Sequence, residues 1–153
     1  MSQEQIGPGE VNVHVECYRD GKLLTERRAH NLLTNIGKQE MVSRLIISPT
    51  KLFRYMRLGK NSTSPNSDQT TITTIVTGSN RTCDTAAMSG STRTAKFTRT
   101  WLTGNFSSVG ICEAGIFSQY TPGSGSMLAR VTFTAINKSR ADSLKISWTV
   151  CVN

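Results

Sequence analysis

The sequence predicts a mainly β protein: an antiparallel β-sandwich, jelly-roll-like, with one short α-helix near residues 36–46. Three observations carry that expectation. Apolar and polar residues alternate in several separate stretches, most cleanly Leu144, Ile146, Trp148 and Val150 against Ser143, Lys145, Ser147 and Thr149. That period belongs to a strand with one face turned to a core. Turn formers such as Asp20-Gly21 and the run Thr121-Pro-Gly-Ser-Gly-Ser126 separate the stretches. Ser, Thr, Asn and Gly are abundant while charged residues make up only 18% of the chain, a mix that suits short strands and polar turns better than long helices.

At 153 residues the chain fits one domain, which buries roughly 68–70% of its unfolded surface without needing metals or cross-links. Residues 1–10, with Gly7-Pro8-Gly9 and no periodicity, read as a flexible N-terminal arm. Residues 11–153 read as a single sandwich domain. Val11, Val13, Val15 and Cys17 alternate with Asn12, His14, Glu16 and Tyr18, which predicts the first strand. Asp20-Gly21 signals a hairpin returning over Lys22 to Arg28. Thr34 or Asn35 can cap a helix, since either side-chain oxygen can accept from an early backbone N–H. Ile36, Met41, Val42, Leu45 and Ile46 then recur at near-helical spacing until Pro49 forbids continuation.

Leu52 to Leu58 reads as a strand, residues 59–70 as a loop of turn formers, and Thr71 to Val76 as a short strand. Residues 77–92 are weakly patterned and read as an exposed connection. The last third is clearer. Thr94 to Leu102 holds Ala95, Phe97 and Trp101 in one phase, Val109 to Phe117 is apolar, and Met127, Ala129, Val131, Phe133 and Ala135 alternate with polar neighbours. A turn at Asn137 to Asp142 leads into the final strand. Seven or eight short strands with turns between them argue a sandwich.

The net charge is +8 and the pI about 9.7, compatible with nucleic acid, an anionic membrane or an acidic protein shell as partner. The cations are dispersed, however, with Arg27-Arg28 the longest uninterrupted pair, whereas a nucleic-acid tail carries a denser block. No apolar run approaches the roughly 20 residues that cross a bilayer, and the polar N-terminus lacks a secretory core. The expectation is synthesis in a cytosol with no signal peptide. Disulfides are then a poor default for Cys17, Cys83, Cys112 and Cys151, and the sequons at Asn61, Asn80, Asn105 and Asn137 are chance in a Ser/Thr-rich chain.

No constellation points to catalysis, cofactor or metal, and the chain reads as non-enzymatic. His14 and Cys17 stand three apart, which on a strand sends them to opposite faces, and neither they nor His30 belong to a converging ligand set. There is no Gly-x-Ser-x-Gly turn and no phosphate-cradling Gly-Lys-Ser/Thr loop. Gly123-Ser-Gly125 reads as a turn. Glu113 is the one carboxylate inside an apolar strand. A buried carboxylate must be paired or protonated, so an ion pair with Arg99 or Arg130 is expected. Phe53-Arg54-Tyr55-Met56-Arg57 interleaves aromatics and cations, a pattern that can stack bases or serve a subunit contact.

Five segments then follow one another in a telling order: His30-Asn-Leu-Leu-Thr-Asn-Ile-Gly-Lys38; Tyr55-Met-Arg-Leu-Gly-Lys-Asn-Ser-Thr-Ser-Pro-Asn-Ser-Asp68; Ile111-Cys-Glu-Ala-Gly-Ile-Phe117; Met127-Leu-Ala-Arg-Val-Thr-Phe133; and Asp142-Ser-Leu-Lys-Ile-Ser-Trp-Thr-Val150. The succession resembles small structural proteins of tailed-bacteriophage virions. Their pattern is an Asn-x-x-Thr-Asn-x-Gly helix start, a Leu-Gly-x-Gly strand end with a Pro/Asp loop, a Glu-x-Gly-Leu/Ile-Phe strand and a terminal Asp-x-Leu-x-Ile-x-Trp strand. The chain departs once, with Asn61 where the second glycine of Leu-Gly-x-Gly is usual.

The resemblance implies a virion part: a capsid cement or decoration protein on the assembled head, or alternatively a neck or tail accessory protein that forms a ring or anchors a fibre. It implies homo-oligomerisation, and the major capsid protein or other virion proteins as partners. Candidate contact residues are Arg27, Arg28, Arg54, Arg57 and Lys60. A nucleic-acid-binding β domain is the alternative from another class, marked by binding that falls steeply with salt.

Overall fold

Asp20 and Gly21 both take positive φ, 50° and 75°, as a two-residue hairpin turn of the primed type requires. The chain therefore folds back tightly, β1 (Val13–Arg19) against β2 (Lys22–Ala29), with Arg19 opposite Lys22. The computed structural model describes residues 12–47, 52–88 and 94–151, and the expected arm at 1–10 lies outside them. After the hairpin come β3 (Leu32–Leu33), α1 (Asn35–Ser43), β4 (Tyr55–Gly59), β5 (Arg81–Thr82), β6 (Thr85–Met88), β7 (Thr94–Trp101), β8 (Ser108–Phe117), β9 (Met127–Lys138) and β10 (Asp142–Cys151).

The strands form two five-stranded sheets, in the orders β2-β1-β10-β7-β6 and β3-β9-β8-β4-β5. Every strand pairing is antiparallel. The protein is the mainly β sandwich that the alternation predicts. Val13 and Val15 of β1 face the core together with Leu144, Ile146, Trp148 and Val150 of β10, and Met56, Leu58, Ile111, Ala114, Ile116, Ala129 and Val131 meet them from the other sheet. Trp101 and Trp148 are fully withdrawn from water. Burying a large apolar side chain contributes roughly 1.5–3 kcal/mol, so these inner faces dominate stability.

Four local expectations are corrected. The helix begins at Asn35 with Thr34, not Asn35, as its cap, and it ends at Ser43. It docks by its first turn: a Cβ on buried Gly37 would approach the Leu128 carbonyl oxygen to 2.6 Å. Of the apolar stripe, Met41 packs on the core, while Val42, Leu45 and Ile46 are 65%, 81% and 88% exposed. The strand expected over 52–58 is confined to Tyr55–Gly59.

Residues 71–76 do not form a strand. They touch β4 through one isolated bridge, Ile75 to Gly59, and drop Ile72 and Val76 into the interior. The connection expected over 77–92 contains β5 and β6, the latter paired along β7. Together with β3, these short edge strands bring the number among the described residues to ten. Two- and four-residue strands carry too little alternation to be read locally; their partners create them.

Candidate interaction surface

Polar residues of the first four segments meet around the loop that follows β4. Glu113 on β8 stands opposite Thr132 on β9, two residues beyond Arg130, which faces Gly115. The pair is thus diagonal across two strands, within reach of long side chains. Arg130 Nε donates to Glu113 Oε2 at 2.7 Å, with the two side chains 1% and 0% exposed. The other carboxylate oxygen accepts from the Asn61 N–H at 3.0 Å. Arg130 also donates through Nη1 to Thr63 O (2.8 Å) and Gln69 Oε1 (3.1 Å), and through Nη2 to Asn61 O (2.9 Å). One ion pair thereby anchors the loop after β4. Gly59 must be glycine because a Cβ there would collide with Glu113 and Ile72.

The helix start joins the same cluster. Thr34 Oγ1 accepts from Gly37 N–H at 2.9 Å and donates to the Met127 carbonyl. Asn35 reaches the loop, its N–H to Ser67 O at 2.8 Å and its side-chain amide to Asp68 Oδ1 at 2.7 Å. Asn31 is bonded side chain to side chain with Asn12, and its N–H donates to Asn12 Oδ1 at 2.8 Å. Asp142, at the head of the last motif, accepts from Arg19 Nε at 2.7 Å and from Ser139 N–H at 2.8 Å. The Arg19 bond, followed by the Ser139 bonds, holds its carboxyl at a pKa of about 2.

Of the two arginines expected as partners for Glu113, Arg130 takes the role. Arg99 lies in the opposite sheet and pairs with Asp84 at 2.8 Å, so it is corrected. Among the expected contact residues, Arg28, Arg54 and Lys60 are exposed and Arg27 is half-buried. Arg27 reaches from the edge of its own sheet to Thr134 O at 3.2 Å on the other. Arg57 is a further correction. It is 1% exposed, lies 3.9 Å above the Phe117 ring, and donates to Asn80 Oδ1 (3.0 Å), Gln119 O (2.5 Å) and Tyr120 O (3.0 Å). Burial pushes its guanidinium pKa down. The three exposed cations do not form one patch: Arg28 is on β2, while Arg54 and Lys60 flank opposite ends of β4.

Two features escaped the sequence. Lys138 is 2% exposed, with Nζ donating to Phe106 O at 3.0 Å and Ser139 O at 3.2 Å. Its position in a polar turn region carried no sign of this. The second is an open groove of about 690 Å3 between α1 and β6, floored by Phe53, Phe97, Leu128 and Val150. The apolar run Leu45-Ile46-Ile47, next in the chain after the lining residue Arg44, stays exposed. Cys83 lines this groove, and burial pushes its thiol up to about 12.

Among the described residues no group of three or more His, Cys, Asp or Glu side chains is placed to hold a metal ion, and no helix is long and apolar enough to cross a membrane. His14 bonds Glu26 at 2.6 Å on the outer face, which lowers the Glu26 pKa. Comparison with protein-family models, curated proteins and solved structures returns no match.

Proposed function

We propose that this chain is a structural protein of a tailed-phage virion, a cement or decoration protein that binds the assembled head shell. The observation that carries the reading is the use to which the resembling motifs are put. Asn31, Thr34, Asn35, Gly37, Gly59, Glu113, Arg130 and Asp142 each cap, clamp or make room for another part of the fold. Their polar groups are occupied in holding the sandwich, its helix and its loop together. A motif set spent on rigidity suits a part whose task is mechanical: added contact area raises the cost of shell expansion or rupture. The net charge of +8 suits steering toward an acidic shell.

The reading is tested by quantifying the protein in purified particles of a phage that encodes it. Hundreds of copies per particle mean decoration. A small number matching a closed ring means the neck or tail alternative. Absence from the particle overturns the virion reading, and salt-sensitive binding to single-stranded nucleic acid would put the nucleic-acid alternative in its place.

A further inference from the structure

The groove between α1 and β6 combines three properties. Its floor is apolar and draws on both sheets, Phe97 and Val150 from one and Leu128 from the other, with Phe53 from the segment that leads into β4. Its charged lining residues among those described are both cations, Arg44 and Arg54; Arg54 is exposed, and the Arg44 guanidinium lies over the Phe53 ring, 4.6 Å from its centroid. Its far wall is β6, the last strand of its sheet, with all four residues exposed and no strand pairing on its outer side among the described residues. A volume of about 690 Å3 is within the range of pre-formed binding clefts, roughly 300–1,000 Å3.

We propose that this groove is a docking site for an extended acidic segment of a partner protein. The segment adds to the outer edge of β6 through main-chain hydrogen bonds, as in strand addition. Alternate side chains of a strand face one way, so its apolar residues rest on Phe97, Leu128 and Val150 and a carboxylate meets Arg54. Charge complementarity selects the sign: the charged lining residues among those described are cations, the chain as a whole carries +8, and a basic segment would be repelled. The proposal rests on the virion reading only for where the partner comes from; the binding chemistry is independent of it.

The test uses the full chain with ¹³C-methyl methionine. Met41 and Met88 line the groove, while Met56 and Met127 are fully buried and serve as internal controls. The probe is a blocked decapeptide of alternating Leu and Glu, with a Leu/Lys counterpart. Expected are shifts of Met41 and Met88 with Met56 and Met127 unmoved, and binding about tenfold weaker for the lysine peptide. The Arg54→Glu and Ala86→Trp variants lose binding to a similar degree; unchanged Met56 and Met127 signals show that each keeps its fold.

No shift at millimolar peptide, or equal shifts from both peptides, overturns the proposal. So does concentration-dependent movement of Met41 and Met88 without peptide, which identifies a second copy as the occupant. Movement of the same signals on Ile6→Asp, again without peptide, would assign the groove to the chain's own first residues and equally overturn it. A positive peptide result with no protein in virions would leave the groove standing and remove the virion reading.

Discussion

Arg130 and Glu113 meet at 2.7 Å with their side chains almost wholly out of water, and between them they hold both sides of the loop that follows β4. The carboxylate accepts from the N–H of Asn61 while the guanidinium donates to the carbonyl of the same residue. At Asn61 the grip is on the backbone, so the ion pair makes no demand on that side chain, whereas the Gln69 and Asp68 side chains are held by Arg130 and Asn35. The Asn61 departure from the Leu-Gly-x-Gly pattern is tolerated for that reason, and its own Oδ1 accepts from the Thr63 N–H at 3.0 Å in a local turn.

Removing one member leaves an uncompensated buried charge. Arg130→Met is expected to cost about 3–5 kcal/mol, read as the shift of the urea midpoint at constant slope. Adding Glu113→Leu to that variant should restore part of the loss, because both desolvated charges are then gone. A single substitution that costs less than about 1 kcal/mol would mean that the pair does not clamp the loop.

Arg57 makes its bonds with carbonyl oxygens and a side-chain amide oxygen, and with the face of Phe117. A lysine cannot reproduce that planar fork. Arg57→Lys should destabilise by about 1–3 kcal/mol and accelerate amide hydrogen exchange in the 118–126 hairpin, whose base it ties down. Unchanged exchange there would show that the carbonyls at Gln119 and Tyr120 do not need it.

The Asp142 carboxyl has its pKa lowered from 3.8 to about 2 by Arg19 and Ser139. A lowered folded-state value means that the unfolded chain binds the proton more tightly. This contribution to stability is fully present above pH 4 and is lost as the pH falls from there through about 2. Thermal melts of wild type and Asp142→Asn should therefore differ at pH 6 and converge near pH 2. A gap that stays constant over the range would exclude the linkage.

Burial raises the Cys83 thiol to about 12, so at pH 8 only about one part in ten thousand is thiolate, the nucleophilic form. Iodoacetamide should label Cys83 at least about tenfold more slowly than glutathione, since the higher nucleophilicity of a high-pKa thiolate offsets only part of its scarcity. The rate should climb through pH 11 without a plateau, as followed by mass spectrometry of the Cys83 peptide. A plateau near pH 9 would mean an ordinary thiol.

Much of the architecture was legible. The alternations at β1 and β10 and the Asp20-Gly21 turn are local signals, and the strands stand where they predict; on β9 the expected phase holds through Val131 but is lost beyond it, where Ala135 is exposed and Ile136 buried, and the strand runs on to Lys138 into the expected turn. Glu113 was recognisable as a buried, paired carboxylate because its neighbours on β8 are apolar. The site was less legible. Arg57 has the same alternating, aromatic-rich surroundings as Arg54, yet one is buried and the other exposed; the difference comes from the Asn80 side chain and the 118–126 hairpin, which close over Arg57 from distant parts of the chain. The stripe Val42, Leu45 and Ile46 predicted a helix seated along its length to residue 46, but the helix ends at Ser43, docks through Gly37 against Leu128 and Met41 on the core, and leaves that stripe outside.

The amino-acid order by itself determined which faces turn inward, where the chain reverses and that Glu113 needs a cation, because side-chain period, turn geometry and the cost of an unpaired buried charge act over a few residues. Only the tertiary structure decided that the cation is Arg130 rather than Arg99, that Arg57 and Lys138 lie inside, and that a cation-lined groove opens beside β6. Those outcomes depend on which strands become neighbours and in what register, and register is set by the packing of two whole sheets.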